Sequence, residues 1–195
     1  MKKLLALALF AALPATAGTV GAPAPDFALE NAAGGIVKLS QHRGKYVVLE
    51  WVNPECPYVR KHYGSANMQG LQKTYTAKNV VWLTINSTRA GHPEHKPAAE
   101  MSSWMKKMNA GASATLLDPK GEAGKAYGAR TTPHMYIVDP KGTLVYAGGI
   151  DDKRSTDPED VKTAKNYVRA AMEELLAGKP VSNASTAPYG CSVKY

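Results

Sequence analysis

The sequence predicts an α/β fold in which a central mixed sheet is covered by helices on both faces. From residue 46 to residue 129, apolar runs typical of buried strands alternate with helical segments. Strands that alternate with helices in this way pair in parallel through crossovers. Two further runs then flank the turn sequence Asp-Pro-Lys-Gly, which predicts an antiparallel hairpin over residues 134–150. A long amphipathic segment follows the hairpin and ends at Gly178.

The strands are predicted from β-branched and aromatic runs. "YVVLEWVN" at 46–53 has few charges and is typical of a buried central strand. "NVVWLTINS" at 79–87 is a second buried strand, and "ATLLDP" at 114–119 is a short third one. The Pro/Gly-bearing start of the chain after residue 17 is expected to be extended and to end in a short strand.

The helices are predicted from capping residues and apolar spacing. A helical segment is expected over 56–75, loosened by Gly64 and Gly70, and a second carries a methionine stripe over 98–110. Residues 120–129 form a short helix closed by Gly128. The last segment, 157–178, is expected to be one long helix with Asp157 as its cap and Pro158 at its first position.

The N-terminus predicts export. A basic start at residues 1–3, a short apolar run and the small-residue site "ATA" at 15–17 are typical of a cleaved signal peptide over residues 1–17. No later stretch reaches ~18 apolar residues, so no stable membrane insertion is expected after signal removal. The mature chain then divides into one domain over 22–178 and a tail over 179–195, and its location is periplasmic or secreted.

Charge and cysteine content exclude several classes of function. The formal net charge is +8, and the basic residues are scattered rather than clustered, so no nucleic-acid partner is expected. His92 and His95 lie in a polar loop without a clear third ligand, so we expect neither a metal site nor another cofactor. The two cysteines, Cys56 and Cys191, are enough for one disulfide in an exported protein.

Three stretches resemble the thioredoxin-fold superfamily, in its exported redoxin branch of peroxiredoxin-like and TlpA-like proteins. The first is a strand that leads into a helix-start cysteine, "VVLEWVNPECPYV"; the second is "GARTTP" at 128–133, directly before a strand; the third is the hairpin itself. The likeness covers about residues 22–178. It implies a thioredoxin-like three-layer α/β/α fold that ends in the hairpin and a helix. "CPYVRKHY", "GGIDD" and the terminal "GCSVKY" also resemble a narrower peroxiredoxin-like subgroup.

The resemblance implies a thiol site at Cys56. A helix N-terminus carries free N–H groups and a partial positive charge, which favour the reactive thiolate. The family loop implies a cis peptide bond between Thr132 and Pro133 that faces this cysteine, with Arg130 as a candidate to steady the thiolate. Pro57 and Tyr58 would complete the substrate site with Thr132 and Pro133.

The chain departs from two family patterns. Val59 stands where a Cys-x-x-Cys motif has its second cysteine, and Asn53 stands where a typical peroxiredoxin has threonine. The expected partner is therefore either a thiol or disulfide protein, or a peroxide.

Two functions remain open at this point. In one, the chain is a thiol oxidoreductase or thiol-dependent antioxidant protein, and Cys191 resolves Cys56 through a disulfide. In the other, a permanent Cys56–Cys191 disulfide staples a non-catalytic binding module. The binding groove of that module would lie around Tyr58, Trp51 and Thr132–Pro133.

Overall fold

A computed structural model gives the structure of residues 18–195. The predicted signal peptide, residues 1–17, lies outside the described residues. Within the described part of the chain, no helix is long and apolar enough to cross a membrane.

Residues 18–195 form nine strands: β1 (Ala28–Asn31), β2 (Ile36–Lys38), β3 (Val47–Trp51), β4 (Val81–Asn86), β5 (Ala114–Leu117), β6 (Thr131–Thr132), β7 (His134–Val138), β8 (Leu144–Gly148) and β9 (Cys191–Ser192). Seven of them form the main sheet, in the order β2-β1-β5-β4-β3-β7-β8. The strands β3, β4 and β5 pair in parallel, as the alternation with helices predicts, and the antiparallel hairpin β7–β8 extends the sheet beyond β3. A separate ladder joins two short strands, β6 and β9.

Helices cover both faces of the sheet, so the predicted three-layer α/β/α architecture is confirmed. The residues of β3 divide between the two faces: Val48 packs against one core, and Leu49 against the other. Four helices lie on the first face, and one helix lies on the second with the N-terminal segment. The first four are α1 (Pro57–Gly64), α2 (Asn67–Thr76), α3 (Ala98–Lys107) and α5 (Tyr167–Leu176); the helix on the second face is α4 (Glu122–Tyr127).

The single helix predicted over 56–75 is wrong, because the chain forms α1 and α2 with a break between them. Ala66 adopts a left-handed backbone with φ 59°, which an α-helix does not accommodate. The Tyr63 carbonyl at the end of α1 accepts from the Ala66 N–H at 3.2 Å and from the Gln69 amide of α2 at 2.8 Å, so it stays hydrogen-bonded across the break. Gly70 lies inside α2 and does not interrupt it.

The single long helix predicted over 157–178 is also wrong. Asp157 and Pro158 begin a 3-10 helix, Pro158–Lys162, and the Asp157 side chain accepts from the Glu159 N–H as predicted. The following residues then bond to the loop after β8 instead of continuing the helix: the Tyr167 N–H donates to the Ile150 carbonyl at 2.9 Å. The helix α5 begins afresh, with Asn166 as its cap.

A carboxyl group is fully buried in the centre of β3. Glu50 accepts hydrogen bonds from Tyr63, Gln72 and Trp82 at 2.8–3.0 Å. Burial disfavours the charged form and raises the pKa of Glu50 to about 7, and the three hydrogen bonds oppose that rise. The carboxyl group therefore changes its charge near neutral pH.

This shift predicts a pH-dependent stability that Glu50→Gln removes. The folded chain holds the Glu50 proton up to a pKa of about 7, whereas an unperturbed Glu titrates at 4.5. The contribution of Glu50 to the free energy of unfolding is therefore largest below pH 4.5, falls as the pH rises, and levels off above the folded pKa. Over this range the free energy of unfolding falls by about 3 kcal/mol in total.

The measurement is urea unfolding of both proteins across this pH range. Burial lowers the pKa of His62 and of His134 to about 3, so these histidines destabilise the fold as the pH falls below ~6.5. The difference between the variant and the wild type isolates Glu50. As the pH rises from 4.5 to about 7, the free energy of unfolding of Glu50→Gln should increase by about 3 kcal/mol relative to that of the wild type. A difference between the two proteins that does not change with pH contradicts the assignment.

Candidate active site

Cys56 lies at the N-terminus of α1, as predicted. The central strand β3 ends at Trp51, and a short connection brings the chain to Cys56, which is the N-cap residue with Pro57 at the first helical position. Proline is favoured there because its missing N–H would have no helical partner. The Cys56 thiol donates to the Thr132 carbonyl at 2.9 Å, and the residue is 2% exposed.

The loop before β7 faces this thiol. The Thr132–Pro133 peptide bond is cis, as the resemblance implies. Thr132 is buried and belongs to the short strand β6. Its carbonyl accepts from Cys56, and its hydroxyl has no hydrogen-bond partner among residues 18–195. The predicted pairing of this loop with the helix-start cysteine is therefore present in the fold.

The C-terminal tail brings the second cysteine to the same place. The strand β9 pairs antiparallel with β6, and in this register Cys191 lies opposite Thr132. Both cysteines are free thiols. Burial raises the pKa of Cys191 to about 12, and a hydrogen bond with Cys56 and the Cys56 charge add to the rise. Cys191 is therefore in contact with Cys56 and keeps its proton at neutral pH.

Glycine at position 190 allows this close approach. Gly190 has φ 143°, and a Cβ atom there would lie 2.0 Å from the Thr132 carbonyl oxygen. A side chain at this position would thus collide with the backbone of β6. The tail can lie directly on β6 because Gly190, the residue before Cys191, has no side chain.

A buried polar network holds the tail beside α1. Tyr189 is 4% exposed, its hydroxyl donates to Asp151, and His62 lies 3.0 Å from the same hydroxyl. The Asn67 amide nitrogen can only donate, so it donates to His62 Nδ1, which places the proton of the neutral ring on Nε2. Lys61 lies over the Tyr189 ring at 5.7 Å. The order of donors is therefore Asn67, His62, Tyr189 and then Asp151.

Two residues predicted to lie near the thiol, Arg130 and Trp51, lie elsewhere, and Arg60 of α1 makes other contacts. Arg130 is exposed and lines a small cavity with His134 and Tyr136; among residues 18–195, no hydrogen bond joins its guanidinium to either cysteine. Arg60 pairs with Glu55 and with the Pro54 carbonyl. Trp51 is fully buried on the opposite face of the sheet, so it does not line the groove proposed for a binding module.

Asn53 stands at the position of the peroxiredoxin threonine, and its side chain is held by hydrogen bonds within the fold. Its amide donates to Glu94 at 2.7 Å, and its carbonyl oxygen accepts from the Glu55 N–H at 2.8 Å. The residue is buried, and both ends of its side chain hold the connection between β3 and α1. The side chain is therefore not free to orient a substrate.

The other predicted substrate-site residues, Pro57 and Tyr58, lie in the first turn of α1. Pro57 is exposed at the start of α1, and Tyr58 is partly buried with its ring against the ring of Tyr189 at 5.7 Å. Sequence reasoning missed the network of His62, Tyr189 and Asp151. The only signal was the occurrence of these residues in or beside the motifs "CPYVRKHY", "GGIDD" and "GCSVKY". Nothing in the sequence indicates that the three motifs meet.

Comparison with known proteins identifies the family. The sequence profile of the AhpC/TSA family matches residues 20–147. The chain belongs to this family. Thioredoxin-like protein YneN of Bacillus subtilis is similar to this AhpC/TSA protein at 28% identity over 143 residues, which are 72% of this chain and 79% of the relative.

Solved structures show the same fold. An uncharacterised conserved protein from Geobacillus kaustophilus is 29% identical with a TM-score of 0.79, and the match covers 91% of this chain and 93% of that chain. A hypothetical protein from Sinorhizobium meliloti is 26% identical with a TM-score of 0.77 over 91% and 94% of the two chains. A putative thiol:disulfide interchange protein DsbE from Chlorobium tepidum is 26% identical with a TM-score of 0.53 over 74% and 94%. The AhpC/TSA protein thus has the thioredoxin fold of thiol-disulfide oxidoreductases.

The network predicts the effect of Tyr189→Phe. This change removes the hydroxyl that donates to Asp151 and leaves buried polar atoms on Asp151 and His62 without that partner. We expect a loss of about 1–3 kcal/mol in the free energy of unfolding, measured with urea. Tyr58→Phe is the control, since its hydroxyl makes no hydrogen bond within residues 18–195; it should change stability by less than ~0.5 kcal/mol. Equal effects of the two variants contradict the network.

Proposed function

We propose that this AhpC/TSA protein is an exported thiol oxidoreductase in which Cys56 is the nucleophile and Cys191 is its disulfide partner. The observation that carries the proposal is the pairing of β9 with β6, which sets Cys191 opposite Thr132 and in contact with Cys56. The two cysteines are 135 positions apart in the sequence. Two cysteines so far apart in the sequence come into contact only in the complete fold, and this contact supports their assignment as a redox pair.

Each cysteine has a separate role in this proposal. Cys56 is the N-cap residue of α1, so its sulfur lies beside the free N–H groups of the first helical turn. Cys191 keeps its proton until Cys56 has been oxidised, because burial and the Cys56 charge hold its pKa at about 12. The oxidant, a hydroperoxide or a disulfide, takes two electrons from the pair and leaves the Cys56–Cys191 disulfide.

An external thiol then reduces this disulfide. Its thiolate attacks one sulfur of the bond, and the other sulfur leaves as a thiolate. Cys191 is partly exposed and Cys56 is 2% exposed, so the attack is directed to Cys191. Cys56 then leaves at the helix N-terminus, which favours its charge. Export to an oxidising compartment belongs to the proposal and rests on the signal-like composition of residues 1–17.

A second function competes for the same pair of cysteines. The anchoring of the tail by Tyr189 and the burial of Cys56 favour a permanent staple, and a disulfide that closes a loop of this length stabilises a fold by ~5 kcal/mol in the chain-entropy model. In that case the chain is a binding module, and the cysteines take no part in electron transfer.

Oxidation of three proteins tests the assignment of the cysteines. The reduced wild type, treated with hydrogen peroxide or with a small disulfide, should become two hydrogens lighter and yield a Cys56–Cys191 cross-linked peptide in mass spectrometry. Cys191→Ser should stop at a sulfenic acid or a mixed disulfide on Cys56. Cys56→Ser should stay unmodified over the same time. Oxidation of Cys56→Ser at the wild-type rate would exclude Cys56 as the nucleophile.

The reduction potential separates the two functions. A redox-active pair should have a potential above about −250 mV, and a structural disulfide should lie below about −300 mV. Equilibration of the wild type with glutathione and dithiothreitol buffers, followed by thiol alkylation and mass spectrometry, gives the value. A potential in the lower range rejects the oxidoreductase in favour of the staple.

A further inference from the structure

A cavity of about 220 Å³ lies beside the loop before β7, and neither cysteine lines it. Strand β7 contributes His134 and Tyr136 to its walls, the loop contributes Arg130, and the tail contributes Ser185 and Pro188. None of the described residues that line the cavity is acidic. Pockets for drug-sized ligands span about 300–1,000 Å³, so this cavity accommodates only a smaller molecule.

Arg130 gives the cavity a positive charge without a counter-ion. The residue is exposed, and its guanidinium forms no hydrogen bond and no ion pair with any of residues 18–195. Burial lowers the pKa of the neighbouring His134 to about 3, and the Arg130 charge adds to this lowering. The guanidinium charge therefore acts on the cavity wall, while its N–H donors stay unused.

His134 adds a neutral N–H donor to the same wall. Its Nδ1 accepts from the Arg130 backbone N–H at 3.2 Å, so the proton of the neutral ring is on Nε2. Nε2 has no hydrogen-bond partner among residues 18–195, although His134 is only 5% exposed. Donors that are so nearly buried are normally paired in folded proteins. This donor is therefore available to an acceptor that binds in the cavity.

The donors of the cavity match an oxyanion. The planar guanidinium of Arg130 presents a fork of N–H groups that bonds two oxygens of a carboxylate or a phosphate at once. The Ser185 hydroxyl is a third donor on the tail side, and it makes no hydrogen bond within the described part of the chain. An anion in this cavity would meet no carboxylate of the lining residues that the structure describes.

We propose that this cavity is a binding site for a small oxyanion, a carboxylate or a phosphate group, held by Arg130, His134 and Ser185. The inference goes beyond the proposed function, because neither cysteine takes part in the binding. Ser185 belongs to the tail and Arg130 to the loop before β7, so a bound anion joins the two segments. Both segments lead into the ladder of β6 and β9, since Arg130 directly precedes Thr131 and Ser185 lies six residues before Cys191. The anion therefore adds to the attachment of the tail.

Calorimetric titration of the reduced protein tests the site, with sodium butyrate, sodium phosphate and butyramide as the probes. Butyramide has the size of butyrate but carries no charge. Butyrate or phosphate should bind at one site per chain, and butyramide should bind at least about tenfold more weakly. The tighter of the two anions identifies the group that the cavity takes. Sodium chloride keeps the ionic strength constant, because the chain has a net charge of +8 that attracts any anion.

Substitution at Arg130 should weaken this binding selectively. Arg130→Gln removes the charge and the paired donors, so the dissociation constant of the anion should rise about tenfold or more. Arg154→Gln is the matched control and should change it by less than about twofold. Arg154 is exposed, its side chain makes no hydrogen bond or ion pair within residues 18–195, and it does not line the cavity. Ser185→Ala should raise the constant about threefold, and it keeps the test valid if Arg130→Gln does not fold.

The His134 ring reports where the anion binds. In nitrogen NMR spectra of the wild type and of Arg154→Gln, the His134 Nε2 signal should shift on saturation with the anion, because the unpaired N–H gains an acceptor. An anion that binds without shifting this signal overturns the site.

Three calorimetric results also overturn the proposal. These are no binding of either anion up to about 50 mM, equal affinities for butyrate and butyramide, and equal effects of Arg130→Gln and Arg154→Gln. None of the measurements involves oxidation. The result is therefore independent of whether Cys56 and Cys191 form a redox pair.

Discussion

The pairing of β9 with β6 is the contact on which the site depends. It joins the C-terminal tail to the loop before β7, and it places Cys191 opposite Thr132, whose carbonyl accepts a hydrogen bond from the Cys56 thiol. Without this ladder, Cys56 would be an uncovered thiol at a helix start, and Cys191 would be a cysteine on a loose tail. The chemistry of both residues therefore follows from a few backbone hydrogen bonds and from the glycine that permits them.

The buried polar groups explain how so short a ladder persists. Two residues of strand contribute little by themselves, since isolated pairs of strands are marginal in water. Tyr189 adds a buried ring and hydrogen bonds to Asp151 and His62 directly before Cys191. Burial lowers the pKa of His62 to about 3, so the ring stays neutral and acts as a donor to the hydroxyl. A neutral imidazole at this place costs less than a buried imidazolium would, and it still supplies a donor to the Tyr189 hydroxyl.

Elements with a strong local signal could be predicted, and elements set by distant contacts could not. The strand β3, the helix start at Cys56 and the hairpin were found because burial pattern, proline position and turn sequence are local. The helix over 157–178 was wrong because another segment competes for its backbone groups: the Tyr167 N–H bonds to the Ile150 carbonyl. The helix over 56–75 was wrong because the left-handed backbone of Ala66 breaks it. Arg130 was proposed from its place in the sequence, but its side chain lies with His134 and Tyr136.

The sequence by itself determined the family, the layered α/β fold and the position of the helix-start cysteine, because these follow from periodicity, capping and motifs within short windows. Only the tertiary structure decided that Cys191 contacts Cys56, that Tyr189 holds the tail, and that the Asn53 side chain donates a hydrogen bond to Glu94. These contacts join positions separated by 38 to 135 residues in the sequence. No local pattern specifies them, because they depend on how the completed sheet and helices bring distant backbone and side-chain groups together.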